Sequence, residues 1–492
     1  LSGDKDYYSL LGVPRNATQE QIRRAYREAA LRLHPDRNIE PGDTEVFLDV
    51  GQAYETLVDP ETRAAYDAQL LEKESEMAER SCFQCRTLHS RRKILVLDEP
   101  QVHYLLLKLR TAEHLPEIRP QINICVVIDR STSMRGQRMD QVRSAVLTIL
   151  GDLHEDDSAS VVAFSDRAEV IVSPDHAKDI PTARARLSLL QADGGTEIGQ
   201  GLQSGLAELD RRMTPESISH LILITDGRTY GDEDLCLELA SQAHDKSISI
   251  NSIGIGADWN DRLLDEIASR TGGNVVFLST PTAVTDLLHN IFDSLSQVVA
   301  GNVQLTGAIG QSLDLRSAFR LRPDPMPLGD RLPLSLGNLL KDSSIEVLLE
   351  LVVHPVSEQG ALSIAHLTIS GEILNPTIDC TDLPLAILSD VTDTPDTEPP
   401  ASDIVDALNK IAMYRLQEKA RHEAELGQVK QAARRLENLA THLLSYGEKE
   451  LAKAALNEAV RLGHTQRLSS EGEKTLKYGT RALLLPAKTG EP

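Results

Sequence analysis

Aromatic side chains are scarce in this chain: Phe, Trp and Tyr make up 3% of its 492 residues, and Trp259 is the single tryptophan. That scarcity argues against a nucleic-acid module built on base stacking. Positive charge is short as well, with 51 Lys and Arg against 74 Asp and Glu, and a formal net charge of −23 would repel a phosphate backbone. No nucleic-acid partner is expected. The five cysteines, Cys82, Cys85, Cys125, Cys236 and Cys380, are too few and too scattered for a disulfide framework, which suits a reducing compartment. No apolar run reaches the roughly 18 residues of a membrane span. The opening LSGDKDYYSL lacks a basic stretch followed by an apolar one, so a cytoplasmic protein with no membrane partner is expected. Phosphate-cradling GxxxxGK[ST], a nucleophile elbow and His/Cys/Asp sets at catalytic spacing are all missing, and the expectation is that the chain is not an enzyme.

What is present suggests three or four folded units. Between 119 and 300, continuous apolar strands such as ICVVID, SVVAFSD, HLILITD and ISINSIGIG alternate with amphipathic helices. This is the pattern of a doubly wound, mostly parallel α/β sheet covered on both faces. Such sheets bind ligands beyond the carboxyl ends of their strands. There INICVVIDRSTSM ends in Asp129, Ser131 and Ser133, DGGTEIGQGL carries Thr196, and HLILITDG carries Asp226. Five oxygen-bearing side chains at strand ends suit a hard divalent cation. Asp193 and Glu197 flank Thr196, where acidic residues more often serve as helix-dipole partners. His103, His114, His154 and His176 show no ligand spacing.

This segment resembles the von Willebrand factor type A (VWA) domain: DRSTSM matches its DxSxS, GGTEIGQGL supplies its threonine and ITDG its second aspartate. The resemblance implies a metal-ion-dependent adhesion site holding magnesium, with manganese or calcium as alternatives. It implies that Ser131, Ser133 and Thr196 coordinate directly while Asp129 and Asp226 hold bound waters. Neutral hydroxyls in the inner shell leave the cation a positive field toward an open position, which a protein ligand's Asp or Glu completes.

Residues 1–70 read as an all-α module. Thr18 stands as an N-cap before QEQIRRAYREAALRL, whose Ile22, Tyr26, Ala29, Ala30 and Leu33 form an apolar face opposite Arg23, Arg24, Arg27 and Arg32. Pro35 stops that helix, leaving His34, Pro35 and Asp36 in a loop before a second helix with Val46, Phe47, Val50, Ala53, Tyr54 and Leu57 inward. DYYSLLGV, IRRAYREAALRLHPDRN and FLDVGQAYETLVDPETRAAYD resemble the J-domain of DnaJ-type co-chaperones. The resemblance implies docking on a DnaK-type chaperone and stimulation of its ATP hydrolysis, with His34, Pro35 and Asp36 as the active tripeptide and Arg23, Arg24 and Arg27 as electrostatic contacts. No Gly/Phe-rich linker or repeated CxxCxGxG follows, so the client-binding parts of a full DnaJ are missing and specificity falls to the fused domains.

Residues 71–90 are expected as a linker that prolongs the last J-domain helix and carries Cys82-x-x-Cys85, either half a metal or redox site or two reduced thiols. Residues 91–118 read as two strands, and 301–390 as short strands separated by turns. Together they predict a β-sandwich into which the VWA domain, 119–300, is inserted; similar sandwiches accompany many bacterial VWA proteins. After a Pro/Asp/Thr-rich linker at 391–402, residues 403–492 read as three helices stopped by Gly427, Gly447 and Gly463, a bundle that either binds a partner or packs on the rest of the chain. The expected function is a J-domain adaptor that brings a DnaK-type chaperone to a partner held at the metal site. The alternative is a metal-dependent scaffold with an accessory J-domain.

Overall fold

The computed structural model describes residues 7–11, 13, 15, 17–33, 43–112, 119–229, 231–375, 380–395 and 398–484, with backbone only at 9, 31–33 and 43–47. Its first unit is helical: α1 (Tyr7–Leu11), α2 (Gln19–Leu33), α3 (Asp43–Val58) and α4 (Pro60–Arg80). Thr18 begins α2 through a reciprocal cap, its Oγ1 accepting from Gln21 N at 3.3 Å while Gln21 Oε1 accepts from Thr18 N at 2.7 Å. Ile22 and Ala29 are buried with Val50, Ala53 and Leu57 in one core, and Tyr26 stacks on Tyr54 at 4.2 Å. Asp59 caps α4 and Pro60 sits at its first position, where a missing N–H costs nothing. Thr381 Oγ1 donates to Met77 O at 2.6 Å, which ties the far end of α4 to the next unit.

That unit is the predicted sandwich, and it starts earlier than expected. Within 71–90, residues 71–80 prolong α4 as expected, but β1 (Phe83–His89) already belongs to the sandwich. With β2 (Lys93–Leu95) and β3 (Gln101–Thr111), three strands among the described residues precede the inserted domain.

The insert consists of β4 (Gln121–Asp129), α5 (Gln137–Gly151), β5 (Ser158–Phe164), β6 (Ala168–Val172), α6 (Ile180–Ser188), α7 (Ile198–Asp210), β7 (Ser217–Thr225), α8 (Glu233–Asp245), β8 (Ser249–Ile255), α9 (Asp261–Thr271), β9 (Val275–Leu278) and α10 (Val284–Leu295). Its strands run in the order β6-β5-β4-β7-β8-β9, all parallel except the antiparallel edge strand β6. Alternation along β4 explains the two covered faces. Ile122, Ile124, Val126 and Ile128 pack with Val142, Val146 and Leu288 of α5 and α10, while Cys125 and Val127 pack with Leu202, Leu239 and Leu264 of α7, α8 and α9.

The chain then returns to the sandwich as β10 (Val298–Ile309), β11 (Leu313–Arg322), β12 (Met326–Gly329), β13 (Leu334–Leu340), β14 (Ile345–Val353), β15 (Gly360–Ile373) and β16 (Leu383–Thr392). One sheet is ordered β1-β3-β14-β11-β12 and the other β13-β10-β15-β16-β2, so strands from both sides of the insert share each sheet. Leu105, Leu107, Val303, Leu349 and Ile364 meet between them.

Among its described residues the tail forms four helices rather than three: α11 (Ser402–Glu425), α12 (Val429–Ser445), α13 (Lys449–Thr465) and α14 (Ser470–Ala482). Gly427 and Gly447 follow their helices with φ of 75° and 86°, as expected of stops. Gly463 instead lies inside α13, which ends at Gln466 in the left-handed region. The bundle packs on the rest of the chain: Ile404, Ile411 and Tyr414 of α11 bury against Leu106, Phe319 and Leu348 on the outer face of one sandwich sheet. No helix among the described residues is long and apolar enough to cross a membrane.

Candidate functional site

The carboxyl ends of β4 and β7 bring their oxygen donors together. Asp129 closes β4 and is wholly buried; its Oδ1 accepts from Ser131 N at 2.8 Å and its Oδ2 from Thr225 Oγ1 at 2.7 Å. Ser131 Oγ lies 3.0 Å from Ser133 Oγ, which donates to Asp226 Oδ1 at 2.6 Å. Four of the five expected residues thus form one hydrogen-bonded chain. Thr196 reaches the same place on a neighbouring loop: the backbone of 193–194 bonds to Arg130 O and Thr132 N, and a Cβ built on Gly227 would stand 2.8 Å from Thr196 Oγ1. Only glycine lets that loop lie so close to Asp226.

Burial pushes the Asp129 carboxyl up to about 6, against hydrogen bonds from Thr225 and Ser131 that hold it down, and the nearby Asp226 charge adds to the rise. Two carboxylates and three hydroxyls so gathered are chemically suited to a hard dication, whose charge would relieve that strain. Thr225 and Arg138 also belong to the site and were not singled out from the sequence. Thr225 could have been, as the hydroxyl just before Asp226. Arg138, whose Nη1 contacts Asp226 Oδ2, carried no such signal. Asp193 is exposed, and Glu197 precedes α7 without capping it through its side chain.

Elsewhere, no group of three or more His, Cys, Asp or Glu among the described residues is placed to hold a metal ion. The Cys82-x-x-Cys85 thiols are part of the sandwich: Cys82 N donates to Cys380 Sγ at 3.1 Å, and Cys85, on β1, has its thiol pushed up to about 12 by burial. His103, expected to be unremarkable, lies with its Nε2 3.1 Å from His89 Nδ1, and burial lowers its pKa to about 4. His114 lies outside the described residues, as do His34, Pro35 and Asp36. Arg23, Arg24 and Arg27 are exposed on α2, with Arg24 paired to Glu28.

The helical tail grips the loop beside the metal-site candidate. Arg228, two residues after Asp226, donates from Nε to Asp258 O at 3.1 Å. The carbonyls on either side of Asp258 belong to Lys474 of α14, whose Nζ bonds Ala257 O and Trp259 O and stands 4.7 Å over the Trp259 ring. Below it, Asp261 binds Arg421 and Lys477, and Asp265 binds Lys477 and Arg481. Burial opposes ionisation of Asp261, but Arg421 and Lys477 outweigh it and hold the carboxyl well below the usual range.

Three family models match in succession: "DnaJ domain" over residues 6–67, "von Willebrand factor type A domain" over 123–292, and "Sll0103-like, C-terminal alpha-helical domain" over 402–486. The uncharacterized protein sll0103 of Synechocystis is 31% identical over 242 residues, 47% of this chain and 57% of that protein. Chaperone protein DnaJ of Methanosarcina thermophila is 54% identical over 67 residues, 14% of this chain and 17% of that one. The matched regions thus span less than two thirds of either relative. A solved structure, von Willebrand factor type A from Catenulispora acidiphila, shares the fold with a TM-score of 0.64 at 16% identity, over 82% of this chain and 96% of that one. The chain is thus a multidomain protein that joins a DnaJ-type J-domain to a VWA domain and an Sll0103-like C-terminal helical domain.

Proposed function

We propose that the chain is a two-ended adaptor: its J-domain stimulates ATP hydrolysis by a DnaK-type chaperone, and its VWA domain brings that chaperone to a partner bound through a metal. The observation that carries this reading is the union, in one chain, of a J-domain with an exposed arginine face and a second domain whose oxygen donors converge at the carboxyl edge of its sheet. In this reading His34, Pro35 and Asp36 trigger the chaperone, and Arg23, Arg24 and Arg27 meet an acidic surface on it. Magnesium takes the hydroxyls of Ser131, Ser133 and Thr196 directly and those of water held by Asp129 and Asp226. An Asp or Glu of the partner completes the octahedron that magnesium prefers. Tethering both ends raises the effective concentration of chaperone at the partner, so weak binding at either end suffices. The adaptor works where its chaperone does, in the cytoplasm, and carries out no catalysis of its own. The receiving end is tested by partner capture with the intact chain. Capture should need magnesium and be lost in Asp129→Ala; capture indifferent to chelator and to that substitution would end the metal-dependent reading.

A further inference from the structure

We propose that Arg138 is the second half of the ligand site, so that the partner presents two neighbouring carboxylates, one to the metal and one to this guanidinium; the inference rests on the metal-site reading above. The Asp226 side chain is fully buried, with one oxygen accepting from Ser133 Oγ at 2.6 Å and the other facing Arg138 Nη1, which also donates to Ser133 O at 3.3 Å. Arg138 therefore rests directly on the donor cluster, yet its side chain remains 36% exposed. Nη1 makes both of those bonds. Nε and Nη2 meet no acceptor among the described residues. Gly256 leaves them room, since a Cβ there would stand 3.1 Å from Nη2.

The edge formed by Nε and Nη2 is the fork that takes a carboxylate bidentately. Arg138 is distinguished from Arg135, Arg228 and Arg130 by keeping it. Arg135 spends Nε on Ala192 O at 3.1 Å, Arg228 spends Nε on Asp258 O at 3.1 Å, and Arg130 has its Nε buried. Acidic neighbours limit simple attraction: Asp166 holds Gly195 N, and Asp193 lies 3.9 Å from Arg135. Selection thus comes from directed hydrogen bonds at Arg138 more than from net charge. A ligand with one carboxylate would fill the metal's open position and leave the fork unused.

The test uses the intact chain loaded with Mn2+, whose binding is read by electron paramagnetic resonance, and two blocked hexapeptide probes, Gly-Gly-Asp-Asp-Gly-Gly and Gly-Gly-Asp-Asn-Gly-Gly. Displacement of manganese-bound water, followed by proton relaxation, gives each probe's affinity. The wild type should prefer the paired-carboxylate probe by at least about fivefold, the lower bound of a typical coupling. At Mn2+ concentrations that saturate each protein, Arg138→Gln, and Arg138→Lys, which keeps the charge without the fork, should both lose the preference. Preference retained by either variant, or absent from a wild type that binds Mn2+, overturns this inference alone. A wild type that binds no Mn2+ overturns the metal-site reading and the inference with it.

Discussion

Replacing Asp261 with alanine tests how the helical tail is held on the VWA domain. Asp261 is the hub of the buried ion cluster, accepting from Arg421 at 2.6 and 3.1 Å and from Lys477 Nζ, with both cations no more than 11% exposed. Its loss leaves Lys477 on Asp265 at 2.7 Å and Arg421 on weaker partners, Glu425 at 3.5 Å and Glu473 at 4.0 Å. Removing one member of a buried pair costs about 3–5 kcal/mol, and because the stranded cations keep these partners the expected loss is near the lower end, about 3 kcal/mol. The assay is built into the fold. Trp259, the chain's single tryptophan, is fully buried beneath Lys474 and 5.6 Å from the Tyr478 ring of α14, so its emission red-shifts when the tail undocks. A urea titration followed by that emission should show the loss. A change below about 1 kcal/mol, the range of an exposed surface pair, would refute the claim that the cluster holds the tail. The pH dependence has a definite sign. Asp261 is depressed in the folded state, so its contribution is present above the unfolded value and is lost as pH falls through the folded one. Emission should therefore hold from neutral pH to about 4 and shift only below it; a shift centred near pH 6 contradicts the assignment.

Gly227→Ala places a Cβ 2.8 Å from Thr196 Oγ1 and should weaken Mn2+ binding by about 10–100-fold, as displaced metal-site support commonly does, measured by electron paramagnetic resonance. Ile22→Ala removes a fully buried J-domain side chain and should destabilise that domain by about 2–5 kcal/mol. Because Trp259 belongs to another core, its urea transition should stay put in this variant while the far-ultraviolet dichroism of the J-domain melts earlier. Magnesium at a hundredfold excess over its dissociation constant should stabilise the VWA domain by about 2.7 kcal/mol, and Ser131→Ala should remove most of that gain in a chelator-controlled thermal melt.

The VWA domain was legible because its chemistry is local. Each donor but Thr196 lies at the end of an apolar strand or within four residues of it, and the unbroken apolar run from Ile124 to Ile128 already indicated a strand covered on both faces. The sandwich was legible as strands but not at its start. CFQCRTLH reads as a thiol motif, and what makes it a strand is pairing with β3 and contact with Cys380, 298 residues away. Helix α14 was missed because its buried face is charged: Lys474, Lys477 and Arg481 look like solvated positions until Asp261 and Asp265 are brought beside them. Gly463 misled for a similar reason, since a helix secured by its neighbours runs past a glycine that would end an isolated one. Arg138 joins the site only through the fold, which carries it from α5 onto Asp226.

Whether one chain couples chaperone activation to partner capture is decided by steady-state ATP turnover of a DnaK-type chaperone with the intact protein added. The wild type should accelerate turnover, Asp36→Asn should not, and Ser131→Ala should accelerate it as the wild type does. No acceleration, or equal acceleration by wild type and Asp36→Asn, would rule out a working J-domain.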